Sequence, residues 1–171
     1  MNGSKKDRDL CAGGSPQHAL QSTLLPAQDD DELELDEVWS YVGHKKRRVW
    51  LWFVQCKRTR QIVAWMPGER DVRTAQDVWM KVPKQYKHCQ CFADGLEAYA
   101  HAIPQEQLHQ QTKKEHTNHL ERFNATLRGR VGRLTRKTLS FSKSYFMHIV
   151  HVRLFLIHYN QEQVRKLTLS T

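Results

Sequence analysis

The chain has 171 residues; 39% of them are hydrophobic, and 27 Lys and Arg against 18 Asp and Glu leave a net charge of +9. This length and apolar content are typical of one folded domain and exclude a wholly disordered chain. No apolar run approaches the roughly 20 residues that a membrane span needs. The basic surplus indicates a polyanionic partner.

The first 31 residues differ from the rest in composition and charge. They are rich in Gly, Ser, Gln and Asp and show no apolar period. Residues 1–35 hold seven acidic and three basic residues, so the positive charge belongs to the remainder of the chain. We interpret residues 1–31 as a flexible acidic tail and residues 32–171 as one domain.

Alternating apolar and polar residues from Leu33 predict a strand that ends near Gly43. Two β-branched and aromatic segments, residues 49–56 and 61–66, predict a hairpin. The later spacing predicts a helix, a short strand, a short helix and two longer helices, over residues 71–82, 88–93, 95–103, 115–131 and 143–159. Three sequential strands followed by strand–helix alternation indicate the α/β class, with a mixed sheet and helices packed on it.

Three acidic residues lie where ligands gather in such folds. Asp36 falls inside the first strand, Asp94 directly follows the fourth, and Glu121 lies on the helix predicted from residue 115. Strand ends are the usual ligand sites of mixed α/β folds. The pattern alone leaves open the alternative that these acids are ordinary edge, cap or solvated-face residues.

The helix that carries Glu121 has three different faces. Its apolar stripe, which must pack, consists of Leu120, Phe123, Leu127, Val131 and Leu134. Glu121, Asn124 and Arg128 fall together beside that stripe. A third, cationic sector contains Arg122, Arg130, Arg133 and Arg136. Gly129 and Gly132 weaken the helix, so its last turn need not be α-helical.

Other chemistries find less support in the sequence. His116 and His119 lie on neighbouring turns without a third ligand, and the four cysteines include no CxxC pair. Cys89 and Cys91 are expected to be buried free thiols. Neither the nucleophile elbow of serine hydrolases nor a phosphate-binding P-loop is present.

Four segments, taken together, resemble the insertion sequence 1 family of bacterial transposases. They are LDEVWSYVG (35–43), FADGLEAY (92–99), TNHLERFNATLRGRVGRLTRKTLSFSKS (117–144) and IHYN (157–160). All four occur in the family's order, and the resemblance extends from near Leu33 to Asn160. It implies an RNase H-like fold and a transposase that acts in DNA transposition and recombination.

The resemblance implies a catalytic triad of Asp36, Asp94 and Glu121 that holds two Mg²⁺ ions, with Mn²⁺ as an alternative. Water would attack the phosphodiester at an element end, and the freed 3′-hydroxyl would then attack target DNA. Asn124 and Arg128 match the family's motif after the glutamate, and Arg128 is expected to hold a phosphate. Contacts that track the DNA backbone are expected from Arg122, Arg130, Arg133, Arg136 and Lys137.

The same resemblance implies partners and a location. The substrate would be DNA, both element terminal repeats and target, and synapsis of two ends implies a homodimer or a higher complex. A zinc finger and a helix-turn-helix read the ends in the complete family enzyme. Residues 1–31 offer neither, so an upstream fusion or a separate partner is expected. The location would be the bacterial cytoplasm, on the nucleoid and without a membrane.

An alternative to the active transposase stays open at this point. The chain could be a catalytically silent DNA-binding remnant, or a subunit that needs a separate end-recognition module. Intact Asp36, Asp94 and Glu121 favour the enzyme, because folding alone does not require all three acids.

Overall fold

The structure, a computed structural model, describes residues 16–44, 46–110, 118–134 and 142–169. The strands in these ranges are β1 (Glu32–Tyr41), β2 (Arg48–Cys56), β3 (Ile62–Gly68), β4 (Gln90–Ala93) and β5 (Leu108–Gln110). The α-helices are α1 (Pro16–Gln21), α2 (Val72–Lys81), α3 (Glu97–Ala100), α4 (Asn118–Arg130) and α5 (Tyr145–Leu169). Short 3₁₀ turns lie at Lys84–Tyr86 and Gly132–Leu134.

The strands form one mixed sheet in the order β3-β2-β1-β4-β5. β1, β2 and β3 are antiparallel neighbours, whereas β4 and β5 join parallel to β1. A five-stranded mixed sheet flanked by helices is the α/β arrangement of an RNase H-like fold, and it confirms the predicted fold class. The sequence did not predict β5, because its three residues are too few to show an alternation.

Apolar residues on the two faces of the sheet form two clusters. The first cluster lies between the sheet and helices α2 and α3 and includes Leu33, Leu35, Trp52 and Tyr99. The second lies between the sheet and helices α4 and α5 and includes Val38, Phe53, Phe123 and Leu156. Both faces of β1 are therefore covered, so that polar residues of this strand are also buried. Glu34 is 0% exposed and Ser40 is 3% exposed.

Helix α4 packs through the predicted apolar stripe. All members of that stripe are buried in the second cluster: Leu120, Phe123, Leu127, Val131 and Leu134. The α-helical geometry stops at Arg130, and a 3₁₀ turn follows it at Gly132–Leu134. This early end confirms the expectation that two glycines weaken the last turn.

Residues 16–31 differ in the structure from the expectation of a flexible tail. Leu20 of α1 is fully buried in the second cluster. The backbone N–H of Leu25 donates to Gln61 Oε1 at 2.9 Å, and Arg58 Nε donates to Asp31 Oδ1 at 2.6 Å. The polar average of this segment conceals the few apolar residues that pack. The division at residue 31 stays a prediction.

None of the helices within the described ranges is long and apolar enough to cross a membrane.

Candidate active site

The parallel pair of strands β1 and β4 brings two predicted site residues together. The ladder between them ends at the pair Leu35–Ala93. Asp36 and Asp94 are the next residues along the two segments, so their carboxylates lie at the same level, although β1 itself continues to Tyr41 beside β2. Strands that part at their carboxyl ends leave a crevice, which is the usual ligand site of an open α/β sheet.

Asp36 is held by two neutral donors. Its Oδ2 accepts a hydrogen bond from Asn124 Nδ2 at 2.6 Å, and its Oδ1 accepts one from the backbone N–H of Glu37 at 2.9 Å. Burial, followed by the charge of the neighbouring Glu37, raises the pKa of Asp36 to about 7. Asp94 adds to the repulsion. The site therefore resists a full negative charge at Asp36 unless something positive compensates it.

Asp94 is fixed by its own turn and by the last strand. Its Oδ1 accepts a hydrogen bond from the backbone N–H of Leu96 at 3.0 Å. Its backbone carbonyl accepts one from Gln110 Nε2 at 3.2 Å, which ties it to the end of β5. The strand that the sequence did not predict therefore helps to hold the second aspartate.

Glu37 is a third carboxylate at this place, and the sequence analysis did not single it out. Arg70 Nε donates to its Oε1 at 2.7 Å, and the hydroxyl of Tyr99 donates to its Oε2 at 3.0 Å. Its side chain is only 2% exposed. Burial raises the pKa of Glu37, and the hydrogen bond from Arg70 opposes that rise. The break that Glu37 makes in the alternation of β1 was the available signal.

The loop that carries Arg70 is held on both sides. Trp52 Nε1 donates to the backbone carbonyl of Glu69 at 3.0 Å, and Asp71 Oδ1 caps α2 by accepting from the N–H of Thr74 at 2.8 Å. The guanidinium of Arg70 also lies 5.2 Å from the centroid of the Trp50 ring. Arg70 is therefore directed at Glu37 by a short, braced loop.

One carboxylate oxygen from each of Asp36, Glu37 and Asp94 lies within 4.8 Å of the others. Hard oxygen donors at such spacing suit Mg²⁺ or Mn²⁺. Burial, with the charges of Glu37 and Asp94, raises the pKa of Asp36, so ionising all three carboxylates together is unfavourable without a cation beside them. The donor set and its charge thus fit a divalent cation.

Glu121 is not one of the three members of this group. It is an exposed residue in the first turns of α4. Its neighbour Leu120 donates its backbone N–H to Glu34 Oε2 of β1 at 2.9 Å, and Asn124, one turn further, reaches Asp36. Glu121 therefore lies on the stretch of α4 that runs along β1 at the site.

The predicted DNA-binding residues lie along and after α4. Asn124 is buried against Asp36, whereas Arg122 and Arg128 are exposed. Arg130 donates to both carboxylate oxygens of Glu162 on α5, at 2.6 and 2.9 Å. The side chain of Arg133 lies outside the part of the chain that the structure describes, as do Arg136 and Lys137.

The expectation of buried free thiols is confirmed. Cys89 and Cys91 are buried and unpaired with each other. Burial raises the pKa of each to about 12, so both stay protonated near neutral pH. They belong to the first cluster and supply packing.

Comparison with known proteins identifies the family. A sequence model described as IS1 transposase matches residues 32–161. The Insertion element iso-IS1n protein InsB of Shigella dysenteriae is 35% identical over 115 residues, which are 67% of this chain and 86% of that protein. The Insertion element IS1 protein InsB of Shigella flexneri is 36% identical over 115 residues, with the same coverage of each chain.

A third relative, the Insertion element IS1 4 protein InsB of Escherichia coli (strain K12), is 36% identical over 115 residues, or 67% of each chain. The region that the IS1 transposase sequence model matches, residues 32–161, contains every described strand of the sheet and the helix α4. This chain belongs to the IS1 transposase family.

Proposed function

We propose that this chain catalyses metal-dependent cleavage at the ends of an insertion element and joins the freed ends to target DNA. Family membership makes it a transposition enzyme that acts on DNA. The observation that carries the finer proposal is the meeting of Asp36 and Asp94 where β1 and β4 part. The catalytic domain would be residues 32–171, working in the cytoplasm on the nucleoid.

In this proposal Asp36, Asp94 and Glu121 would hold two Mg²⁺ ions, or Mn²⁺. When bound, the ions supply Lewis-acid activation of the attacking oxygen and stabilise the leaving one. Asn124 holds Asp36 Oδ2 in place, and the turn at Leu96 holds Asp94 Oδ1. These contacts orient the two carboxylates before substrate arrives, and this lowers the entropy cost of assembling the site.

The reaction would proceed in two steps at one place. Water attacks the phosphodiester at the element end, the bond to the 3′-oxygen breaks, and a 3′-hydroxyl is released. That hydroxyl then attacks a phosphodiester of the target, so one such bond forms as another breaks. Arg128 would hold a phosphate beside the carboxylates. Further backbone contacts would come from the cationic sector, Arg122, Arg130, Arg133, Arg136 and Lys137.

The test is nicking and joining of a labelled element-end oligonucleotide with Mg²⁺, comparing the chain with its Asp94→Asn variant. We expect the variant to lose both products by at least a hundredfold, because it removes a charged oxygen ligand. Asp30→Asn, at an exposed aspartate before β1, is the matched control and should keep both products.

The same assay distinguishes the alternatives. If neither the chain nor a fusion to a zinc finger and helix-turn-helix module forms products, although both bind DNA, the silent-remnant alternative is correct. Products of cleavage without joining would indicate a plain nuclease. Glu121→Gln and Glu37→Gln, assayed side by side, identify the glutamate that completes the site, since only that variant should lose activity as Asp94→Asn does.

A further inference from the structure

Glu34 is a buried acid with no part in the proposed chemistry. It lies on β1, two residues before Asp36 and on the same face of the strand. Its side chain is 0% exposed. One oxygen, Oε2, accepts the backbone N–H of Leu120 at 2.9 Å. The other, Oε1, makes no hydrogen bond within the described part of the chain and lies 3.9 Å from His119 Nε2.

Packing alone does not explain a carboxylate at this position. A buried carboxyl group with one unsatisfied oxygen costs free energy, which an apolar side chain of similar volume would not. What favours a carboxylate here is the position of its hydrogen-bond donor, because Leu120 lies in the first turn of α4. Backbone N–H groups there lack helical partners and attract negative charge.

Glu34 and Asp36 together tie α4 to β1 at two points. Two residues along a strand span roughly 6.6 Å, and four residues along a helix span about 6 Å. The contacts Glu34 to Leu120 and Asp36 to Asn124 use these matching intervals. The helix and the strand therefore run in register, and Glu121 directly follows the first contact.

We propose that Glu34 is a positioning residue, which sets the height of α4 along β1 and thereby the reach of Glu121 toward Asp36 and Asp94. The inference rests on the proposed function, because it requires Glu121 to take part in cation binding. Without the anchor at Leu120, the first turn of α4 is free to shift along the strand. Of the two hydrogen bonds, the one at Asn124 remains, together with the packing of the apolar stripe, which does not by itself fix the height of the first turn.

The experiment measures Mn²⁺ binding by calorimetry, with no DNA present, in the whole chain and in three variants. These are Glu34→Ala, Glu121→Ala and the double variant. We expect each single variant to weaken Mn²⁺ binding by about tenfold or more, as for residues that orient ligands. The double variant should bind no more weakly than Glu121→Ala, because both changes remove the same interaction.

Two further variants separate positioning from general stability. Glu34→Gln keeps an oxygen that can accept from Leu120, so it should restore Mn²⁺ binding close to that of the unaltered chain. Ser40→Ala alters another buried polar residue of β1, 3% exposed, whose hydroxyl makes no hydrogen bond within the described residues, and should leave binding unchanged. If Glu34→Ala fails to fold, Glu34→Asp, which is one methylene shorter, takes its place with the same expectation.

The outcomes distinguish this inference from the proposed function. If Glu121→Ala weakens Mn²⁺ binding and Glu34→Ala does not, the positioning role is wrong and the proposed site stands. If Glu121→Ala leaves binding unchanged, the assignment of Glu121 is wrong and the positioning role falls with it. Independent, additive losses in the double variant would also overturn the inference, since they would place Glu34 outside the path to Glu121.

Discussion

The acidic residues on the two faces of β1 have different hydrogen-bond partners. On the face toward α2 and α3, Glu37 is paired with the guanidinium of Arg70 and with the hydroxyl of Tyr99. On the face toward α4 and α5, the hydrogen bonds to Glu34 and Asp36 come from neutral donors, which are backbone N–H groups and the Asn124 amide. One strand thus carries a compensated acid and two acids held without full compensation.

The difference shows in the pKa values. Burial raises the pKa of both Glu34 and Asp36 to about 7, whereas the bond from Arg70 limits the rise at Glu37. On one face the guanidinium of Arg70 is hydrogen-bonded to the carboxylate of Glu37. On the other face the charges of Arg60 and Lys57 oppose the rise in the pKa of Glu34 without cancelling it. Asp36 accepts hydrogen bonds only from neutral donors in the described residues. That distribution fits a divalent cation near Asp36.

The largest expected effect is on the pH dependence of stability in the metal-free protein. A raised pKa lets the folded state keep a proton that the unfolded chain releases. The stabilising contribution of the protonated Asp36 is therefore complete below pH 3.8, the ordinary pKa of aspartate, and is lost as the pH rises to about 7. Relative to Asp36→Asn, the chain should lose on the order of 2 kcal/mol of unfolding free energy between pH 5 and pH 8, since one pKa unit corresponds to about 1.36 kcal/mol.

Urea titrations in EDTA at several pH values measure this difference. The comparison with Asp36→Asn is needed because other acids have the opposite effect. Asp31, whose pKa is lowered, adds to the stability of the folded protein as the pH rises. A constant difference between the two proteins from pH 5 to pH 8 would show that Asp36 is as readily ionised as an exposed aspartate. The two faces of β1 would then not differ in the way described.

Loss of Arg70 tests the compensated face. Arg70→Ala leaves Glu37 buried beside Asp36 and Asp94 without its guanidinium. Removing one partner of a fully buried pair costs roughly 3–5 kcal/mol. The Arg70 side chain is 43% exposed, so solvent screens the interaction and we expect a smaller loss, about 1–2 kcal/mol.

Denaturant unfolding at pH 8 measures this loss, where Glu37 is most fully ionised. Arg73→Ala, at an exposed arginine of the next helix, is the matched control and should change stability little. If the double variant Arg70→Ala with Glu37→Gln regains stability, the loss in Arg70→Ala comes from leaving Glu37 without its guanidinium partner and not from a change in the loop. An equal loss in the double variant would contradict it.

The smallest expected effect on stability concerns the ion pair between Arg130 of α4 and Glu162 of α5. The pair is partly exposed, so Arg130→Ala should cost only about 0.2–1 kcal/mol of stability. If Arg130 also contacts a phosphate, the slope of the logarithm of the DNA association constant against the logarithm of salt concentration should fall by about 0.9.

Glu162→Gln is the control for that measurement, because it releases Arg130 without removing its charge. Its salt slope should equal or exceed that of the unaltered chain. Replacing Arg133 as well should lower the slope further. An unchanged slope in the variant that lacks both arginines would place them outside the path of DNA.

The sequence predicted the elements with strong local patterns. The hairpin of β2 and β3, helix α2 and the apolar stripe of α4 each bury a periodic set of side chains, and periodicity is visible without a structure. The pairing of Asp36 with Asp94 followed from the resemblance, and the register of two parallel strands realises it. Strand β5 and the packing of Leu20 were not predicted, because each depends on very few residues.

Glu34 and Glu37 show most clearly what local pattern leaves out. In the sequence they are two charged residues of one strand, and either could face water. Their burial comes from helices that cover both sides of β1, and their partners Arg70, Tyr99 and Leu120 are distant along the chain.

The sequence by itself therefore determined the fold class, which follows from the order and periodicity of its elements, and the family, which follows from the resemblance carried by four ordered segments. The tertiary structure alone decided that Glu37 is paired with Arg70 and that Glu34 accepts a hydrogen bond from the first turn of α4. It also decided that burial raises the pKa of Glu34 and Asp36 to about 7. Those properties depend on burial and on contacts between distant segments, and both arise only when the helices close over the sheet.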